Sequence, residues 1–300
     1  MASSKTVEAT AYAAPMDGMP PPPPYQETDN RTSAHPSAGP APSYHAGEPS
    51  LGAGFTSSGG VRFPPTLNAY LQMAFTRTFH LGERKEAPSF AARMHSGFTK
   101  NPELVLYNGP SEKDPILATA THKSLWKSRA TLITVPAREG VPHDTESQNV
   151  EMACHASFKH KTYTFTADVG VGKETRREEF EWRSSHGNEV RELDGYKWGW
   201  KLVRLSGEPL GSGGDRATRT SGSTSDGHEV VAVWAHNNSM SMTKAFKFQL
   251  MGSALNGMLG ERGAALALIS ALRIWAIELN TAAASSSAAS GAAGAAAAAG

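Results

Sequence analysis

Gly172 and Lys173, within the run DVGVGKET, come closest in this 300-residue chain to phosphate-binding chemistry. A phosphate-cradling loop needs a glycine at position 167 and a hydroxyl at 174, and Ala167 and Glu174 stand there instead. Both the backbone nest and the magnesium-binding hydroxyl are therefore missing, and the run reads as a β-turn. Nucleophilic and metal-assisted hydrolysis fare no better, because neither G-x-S-x-G nor H-E-x-x-H occurs. Nine of the 11 histidines lie beyond residue 65, and none forms a recognisable ligand spacing. His155 and His160 are five apart, read as surface residues on neighbouring strands, and have no carboxylate at ligand spacing. Cys154 alternates with apolar neighbours and reads as a buried, inert thiol. These residues lead us to expect no catalytic machinery, no cofactor and no metal.

Two other groups suit binding. Pro22-Pro23-Pro24-Tyr25 fits P-P-x-Y, in which a preformed polyproline II segment docks at low entropic cost into the aromatic groove of a WW domain. The competing reading is a solvated spacer in which Tyr25 follows proline by chance. Residues His122–Arg138, HKSLWKSRATLITVPAR, hold Lys123, Lys127, Arg129 and Arg138 with no acidic residue, and Trp126 sits among them. Cations around an interfacial indole suit anionic lipid headgroups. The alternative is a solvated strand end with Trp126 tucked into the core. A second basic group, Lys159, His160, Lys161, Lys173, Arg176 and Arg177, is largely neutralised by Glu174, Glu178, Glu179 and Glu181.

The chain has 29 Lys and Arg against 28 Asp and Glu, so no global charge argues for a nucleic-acid partner. One cysteine excludes an internal disulfide framework and fits a reducing compartment. The first residues show no apolar run of about 7–15 residues after a basic start, so a cytoplasmic location is expected, with peripheral membrane contact. Twelve of the 19 prolines fall in residues 1–65. Residues 1–60, rich in Pro, Ala, Ser and Gly, cannot bury enough apolar surface to offset ordering entropy and read as a disordered arm. Residues 281–300 are Ala, Ser and Gly with one Thr; the interruptions favour a frayed tail over a helix.

Between them, residues 61–280 read as one β-rich domain. Apolar residues alternate in YLQMAFTRTFHL, where Leu71, Met73, Phe75, Phe79 and Leu81 share a face. They alternate again in EMACHASF and in KTYTFTAD. Further strand candidates are ELVLYN, PILATATH, ATLITVP, EEFEWRS, WGWKLVRL, HEVVAVWA and AFKFQLM. Turn residues fall between them, and Ser206–Asp226 is long enough to be a mobile loop or insertion. Residues 261–279, ERGAALALISALRIWAIEL, have helical propensity and are apolar on nearly every side, so this helix should be buried all round. Only ten residues separate Arg262 from Arg273, short of the ~20 apolar residues a membrane span needs. Arg273 must find acceptors or reach solvent at an end of the core.

About ten strands and a helix without a polar face predict a closed antiparallel barrel wrapped around that helix. Twelve strands at ~4.8 Å spacing and ~40° tilt give a radius near 12 Å, enough for a helix ~10–12 Å across. Closure also removes the sheet edges.

The runs Phe180–Leu205, Asp226–His236, Ser241–Lys244 and Leu259–Trp275 resemble a group of filamentous-fungal proteins. The order of strands followed by a C-terminal apolar helix, over roughly residues 65–280, is similar to the tubby C-terminal-like superfamily. That superfamily includes tubby proteins, plant LURP-one-related proteins and phospholipid scramblases. The resemblance implies a β-barrel around a hydrophobic helix and raises lipid contact as an expectation. No phosphoinositide-contacting residue of tubby and no calcium-binding segment of the scramblases maps to a position here. Scramblases also often carry proline-rich N-terminal arms.

The expected function is a non-enzymatic module that binds anionic phospholipid or phosphoinositide surfaces through Lys123, Trp126, Lys127 and Arg129. Its arm would recruit a WW-domain protein through Pro22, Pro23 and Tyr25. A protein-interaction scaffold without a lipid role and a scramblase-like phospholipid transfer are the alternatives.

Overall fold

The computed structural model describes residues 63–71, 77–95, 99–123, 130–137, 145–157, 160–170, 172–193, 197–207, 214, 222–236 and 245–298, with side chains as far as 283. Twelve strands follow one another as β1 (Thr66–Leu71), β2 (Thr78–Gly82), β3 (Phe90–Met94), β4 (Leu104–Tyr107), β5 (Ile116–His122) and β6 (Thr131–Val135), then β7 (Gln148–Ala156), β8 (Lys161–Val169), β9 (Arg176–Ser185), β10 (Gly199–Arg204), β11 (Glu229–His236) and β12 (Phe246–Leu250). Each pairs antiparallel with the next, and β12 closes on β1 with Thr66 opposite Gln249. The barrel is thus an up-and-down meander with no free edge.

Period-2 sequence makes these strands because one side of the wall faces the core. Tyr163, Phe165 and Ala167 of β8 are buried between half-exposed threonines, and Phe180 and Trp182 of β9 face inward beside them. The core is closed by α2 (Gly260–Ala298), whose residues from Ala264 to Ala276 are buried on all sides. Trp275 meets Phe79 of β2 at 4.9 Å and Phe246 of β12 at 5.3 Å. Trp182, on the other side of the barrel, donates Nε1–H to the Ser270 hydroxyl at 2.9 Å. Contacts in opposite directions place the helix inside the wall, as its sequence predicts. An apolar gap lined by Phe165, Phe180, Leu202, Leu259 and Leu266 has no room for a water molecule.

The helix begins at Gly260, whose φ of +66° lies in the left-handed region. A Cβ there would stand 2.2 Å from the carbonyl oxygen of Gly170, in the β8–β9 turn, so only glycine allows the approach. This end of the barrel is called the floor. The other end, where the helix leaves past Glu278, is the rim. A second apolar cluster lies outside the wall, where Val190 and Leu193 beside the short α1 (Asn188–Arg191) cover Val230 and Val233 of β11.

Several expectations need correction. YLQMAFTRTFHL is two strands, with Leu71 of β1 opposite Phe79 of β2. No Gly, Pro, Asn or Asp in residues 72–77 marks the reversal, and the alternation keeps its parity across it. Strand β3 was not anticipated, because FAARM is short and its two alanines carry little strand propensity. The helix continues past 279, with side chains described to 283, and the expectation of a frayed C-terminal tail stands. Length also does not exclude a membrane span. Gly260–Ala283 is long and apolar enough by length and composition, but 78% of its most apolar window is buried within the barrel.

Candidate functional site

At the floor, three charged side chains belong to inward rows of the wall. Glu178 shares its row with Phe180 and Trp182, and Arg204 with Trp200 and Leu202. Arg204 grips Glu178 through two bonds, Nε to Oε2 at 2.5 Å and Nη2 to Oε1 at 2.7 Å, and reaches Glu229 Oε2 at 3.3 Å. Arg176 also pairs with Glu178. Glu229 Oε1 in turn accepts the Ser253 N–H at 2.6 Å, where the chain bends toward α2. Burial by itself lowers the Arg204 pKa, but the bonds to Glu178 and Glu229 outweigh it and hold the guanidinium above its ordinary value. All of these charges are matched, so the cluster ties β9, β10, β11 and the approach to α2 together without offering a reactive group.

At the rim, the buried charges are on the helix. Arg273, 7% exposed, pairs with Glu103 just before β4, and its Nε lies 3.5 Å from the Thr131 hydroxyl. Burial pushes the Arg273 pKa down, against the pull of Glu103. Trp200 Nε1–H donates to Glu278 Oε1 at 3.0 Å. Tyr163 lies between these groups, and burial first, then neighbouring Cys154 and Glu278, pushes its phenol pKa up. The raised pKa keeps the phenol protonated, Glu103 matches Arg273, and one Glu278 oxygen accepts the Trp200 N–H. Cys154 is half-buried, more open than its alternation suggests.

Of the basic stretch singled out in the sequence, His122 and Lys123 lie where β5 reaches the rim, and Thr131–Val135 form β6. Lys123 is exposed at the end of β5, and its N–H bonds Ala130 O at 3.1 Å, closing the β5–β6 connection. Its ammonium pairs with Glu151, two strands away on β7. A window without acidic residues in sequence thus meets one in space, 28 positions on. Trp126, Lys127 and Arg129 lie outside the described residues, as do Pro22, Pro23 and Tyr25. In the second basic group Lys159 is likewise outside, His160 is exposed at the rim, and Lys173 is in the β8–β9 turn at the floor. His155 bonds the Thr164 hydroxyl at 2.9 Å. Among the described residues no three His, Cys, Asp or Glu side chains are placed to hold a metal ion.

Two networks escaped sequence reasoning. The floor cluster needs the register that puts Arg204 opposite Glu229; the signal was an arginine ending one strand and a glutamate opening the next. Arg183 grips Asp226 at 2.8 and 3.1 Å across 43 residues, a contact with no local trace. No protein-family model, no curated protein and no solved structure matches this chain.

Proposed function

We propose that this protein is a non-enzymatic module that attaches peripherally to anionic membrane surfaces on the cytoplasmic side, with a P-P-x-Y arm for a WW-domain partner. The observation that supports it is the filled interior: α2 occupies the space in which a barrel would hold a small ligand. Recognition then falls to the outer surface, where Lys123 is exposed, and the sequence that follows it adds Trp126, Lys127 and Arg129. The twelve-strand barrel around a C-terminal helix is also consistent with the tubby-like architecture that the resemblance implies. Scramblase-like transfer draws less support, because Ser270, Arg273 and Glu278 all hold the helix to the wall.

The test is co-sedimentation of the full chain with neutral, phosphatidylserine and phosphoinositide vesicles at two salt concentrations. We expect salt-sensitive binding to the anionic vesicles only. Changing Lys123, Lys127 and Arg129 to Glu should weaken it by about tenfold or more, at ~1 kcal/mol for each charge near the surface. Absence of binding at low salt rejects the lipid role; if a WW domain still captures the chain through Tyr25, the scaffold reading takes its place.

A further inference from the structure

We infer that Cys154 is a modification site, a thiol that a hydroperoxide oxidises to a sulfenic acid held by the Tyr163 hydroxyl. This holds whether or not the protein meets a membrane. Cys154 of β7 stands directly opposite Tyr163 of β8, so the two side chains share the inward face of adjacent strands. Opposite residues on one face have Cβ atoms about 4.5–5.5 Å apart. Cys154 packs against the edge of the core yet stays only half-buried, which leaves its sulfur open to a small oxidant.

The second observation is the phenol. Tyr163 is only 2% exposed, and its hydroxyl oxygen has no hydrogen-bond partner among the described residues. A buried hydroxyl left in that state is costly. Its polar neighbours are the Cys154 thiol, Glu278 and Arg273. Sulfur is a weak acceptor, so the thiol leaves the phenolic O–H unsatisfied. An oxygen added to that sulfur is a stronger acceptor and supplies what the phenol lacks.

Two cations flank the pair. Lys161 Nζ lies 5.2 Å from the centre of the Tyr163 ring, and Arg273 acts on the phenol from the helix. Positive charge favours the anionic sulfenate and sulfinate that oxidation produces. Two acids oppose it. Glu278 has one oxygen 3.0 Å from Trp200 Nε1, and Glu103 is matched to Arg273.

The thiol gives up its proton and its sulfur attacks one oxygen of hydrogen peroxide. An S–O bond forms as the O–O bond breaks, and the departing hydroxide takes up the thiol's proton to leave as water. Sulfur loses two electrons and the peroxide gains them. Cys154 is the chain's only cysteine, so no thiol of the same chain can convert the product into a disulfide. The sulfenic acid therefore persists while Tyr163 holds it, and an external thiol reverses it.

The test treats the full chain with hydrogen peroxide, traps sulfenic acid with dimedone after increasing delays, and reads the Cys154 peptide by mass. Tyr163→Phe, which removes only the hydroxyl, is run beside it. The unaltered protein should give a dimedone adduct at Cys154. In Tyr163→Phe the trappable sulfenic acid should decay about threefold faster or more, with a matching rise in sulfinic acid. Because the hydroxyl has no partner in the reduced protein, this variant should melt no lower than the unaltered chain before oxidation. An adduct in the urea-unfolded chain but not in the folded one overturns the site. Equal sulfenic lifetimes in the two proteins, or direct passage to sulfinic acid in both, overturn the hold by Tyr163 and the inference with it.

Discussion

The floor and the rim both bury charge, but they attach it to different parts of the molecule. At the floor, Glu178, Arg204 and Glu229 all belong to strands, and Glu178 is only 2% exposed. At the rim, Arg273 and Glu278 belong to the helix, and the Glu103 side chain that answers Arg273 keeps 22% of its exposure. The floor therefore ties wall to wall, whereas the rim ties helix to wall. The floor carboxylate Glu178, with 3% of its side chain exposed, has no route to water if it loses its partners, whereas the rim carboxylate Glu103 can rehydrate.

Breaking the floor should accordingly cost most. Arg204→Leu strips the buried Glu178 of its two-bond partner, leaving it only the exposed Arg176, and we expect a loss of about 3–5 kcal/mol by urea denaturation. At the rim, Arg273→Leu should stay within ~1 kcal/mol of the unaltered protein, because leucine suits the core and Glu103 turns to solvent. A loss at the rim equal to that at the floor would erase the distinction. Between these lies Ser270→Ala, which strands the buried Trp182 N–H and should cost ~1–3 kcal/mol. The exposed pair Lys123–Glu151 should contribute least, ~0.2–1 kcal/mol in a double-mutant cycle at low salt.

Acid sensitivity sharpens the same contrast on the outer wall. Partial burial alone would raise the Asp226 pKa, but bonds from Thr224 and Arg183 outweigh it and hold the carboxyl at about 2. A depressed carboxylate stabilises the fold fully above its unfolded pKa, about 3.9, and loses that contribution as pH falls toward 2. Arg183→Met should therefore flatten the decline in melting temperature between pH 4 and 2, and leave its shape above pH 5 unchanged. Asp226 is nearly half exposed, so the effect should be small.

What could be read from sequence follows the range of the forces involved. Alternation is local, so β8 and β9 and the inward rows of Tyr163, Phe165, Phe180 and Trp182 were legible, and so was the helix with no polar face. Even the inward position of Glu178 follows from its parity with Phe180. The reversal between Leu71 and Phe79 was not legible, because no turn residue breaks the pattern and both flanking strands keep one parity. Partners separated by long stretches of chain were invisible: Glu151 for Lys123, Asp226 for Arg183, Glu103 for Arg273. The first of these matters for function, since it tempers the one cation of the proposed lipid-binding connection that the structure describes.

Hydrogen–deuterium exchange of the full chain, with and without phosphatidylserine-containing vesicles, tests the central claim most directly. The account predicts that lipid slows exchange over residues 123–130 and leaves the floor segments 83–89 and 170–175 unchanged. Slowing at the floor, or equally around the wall, would contradict it.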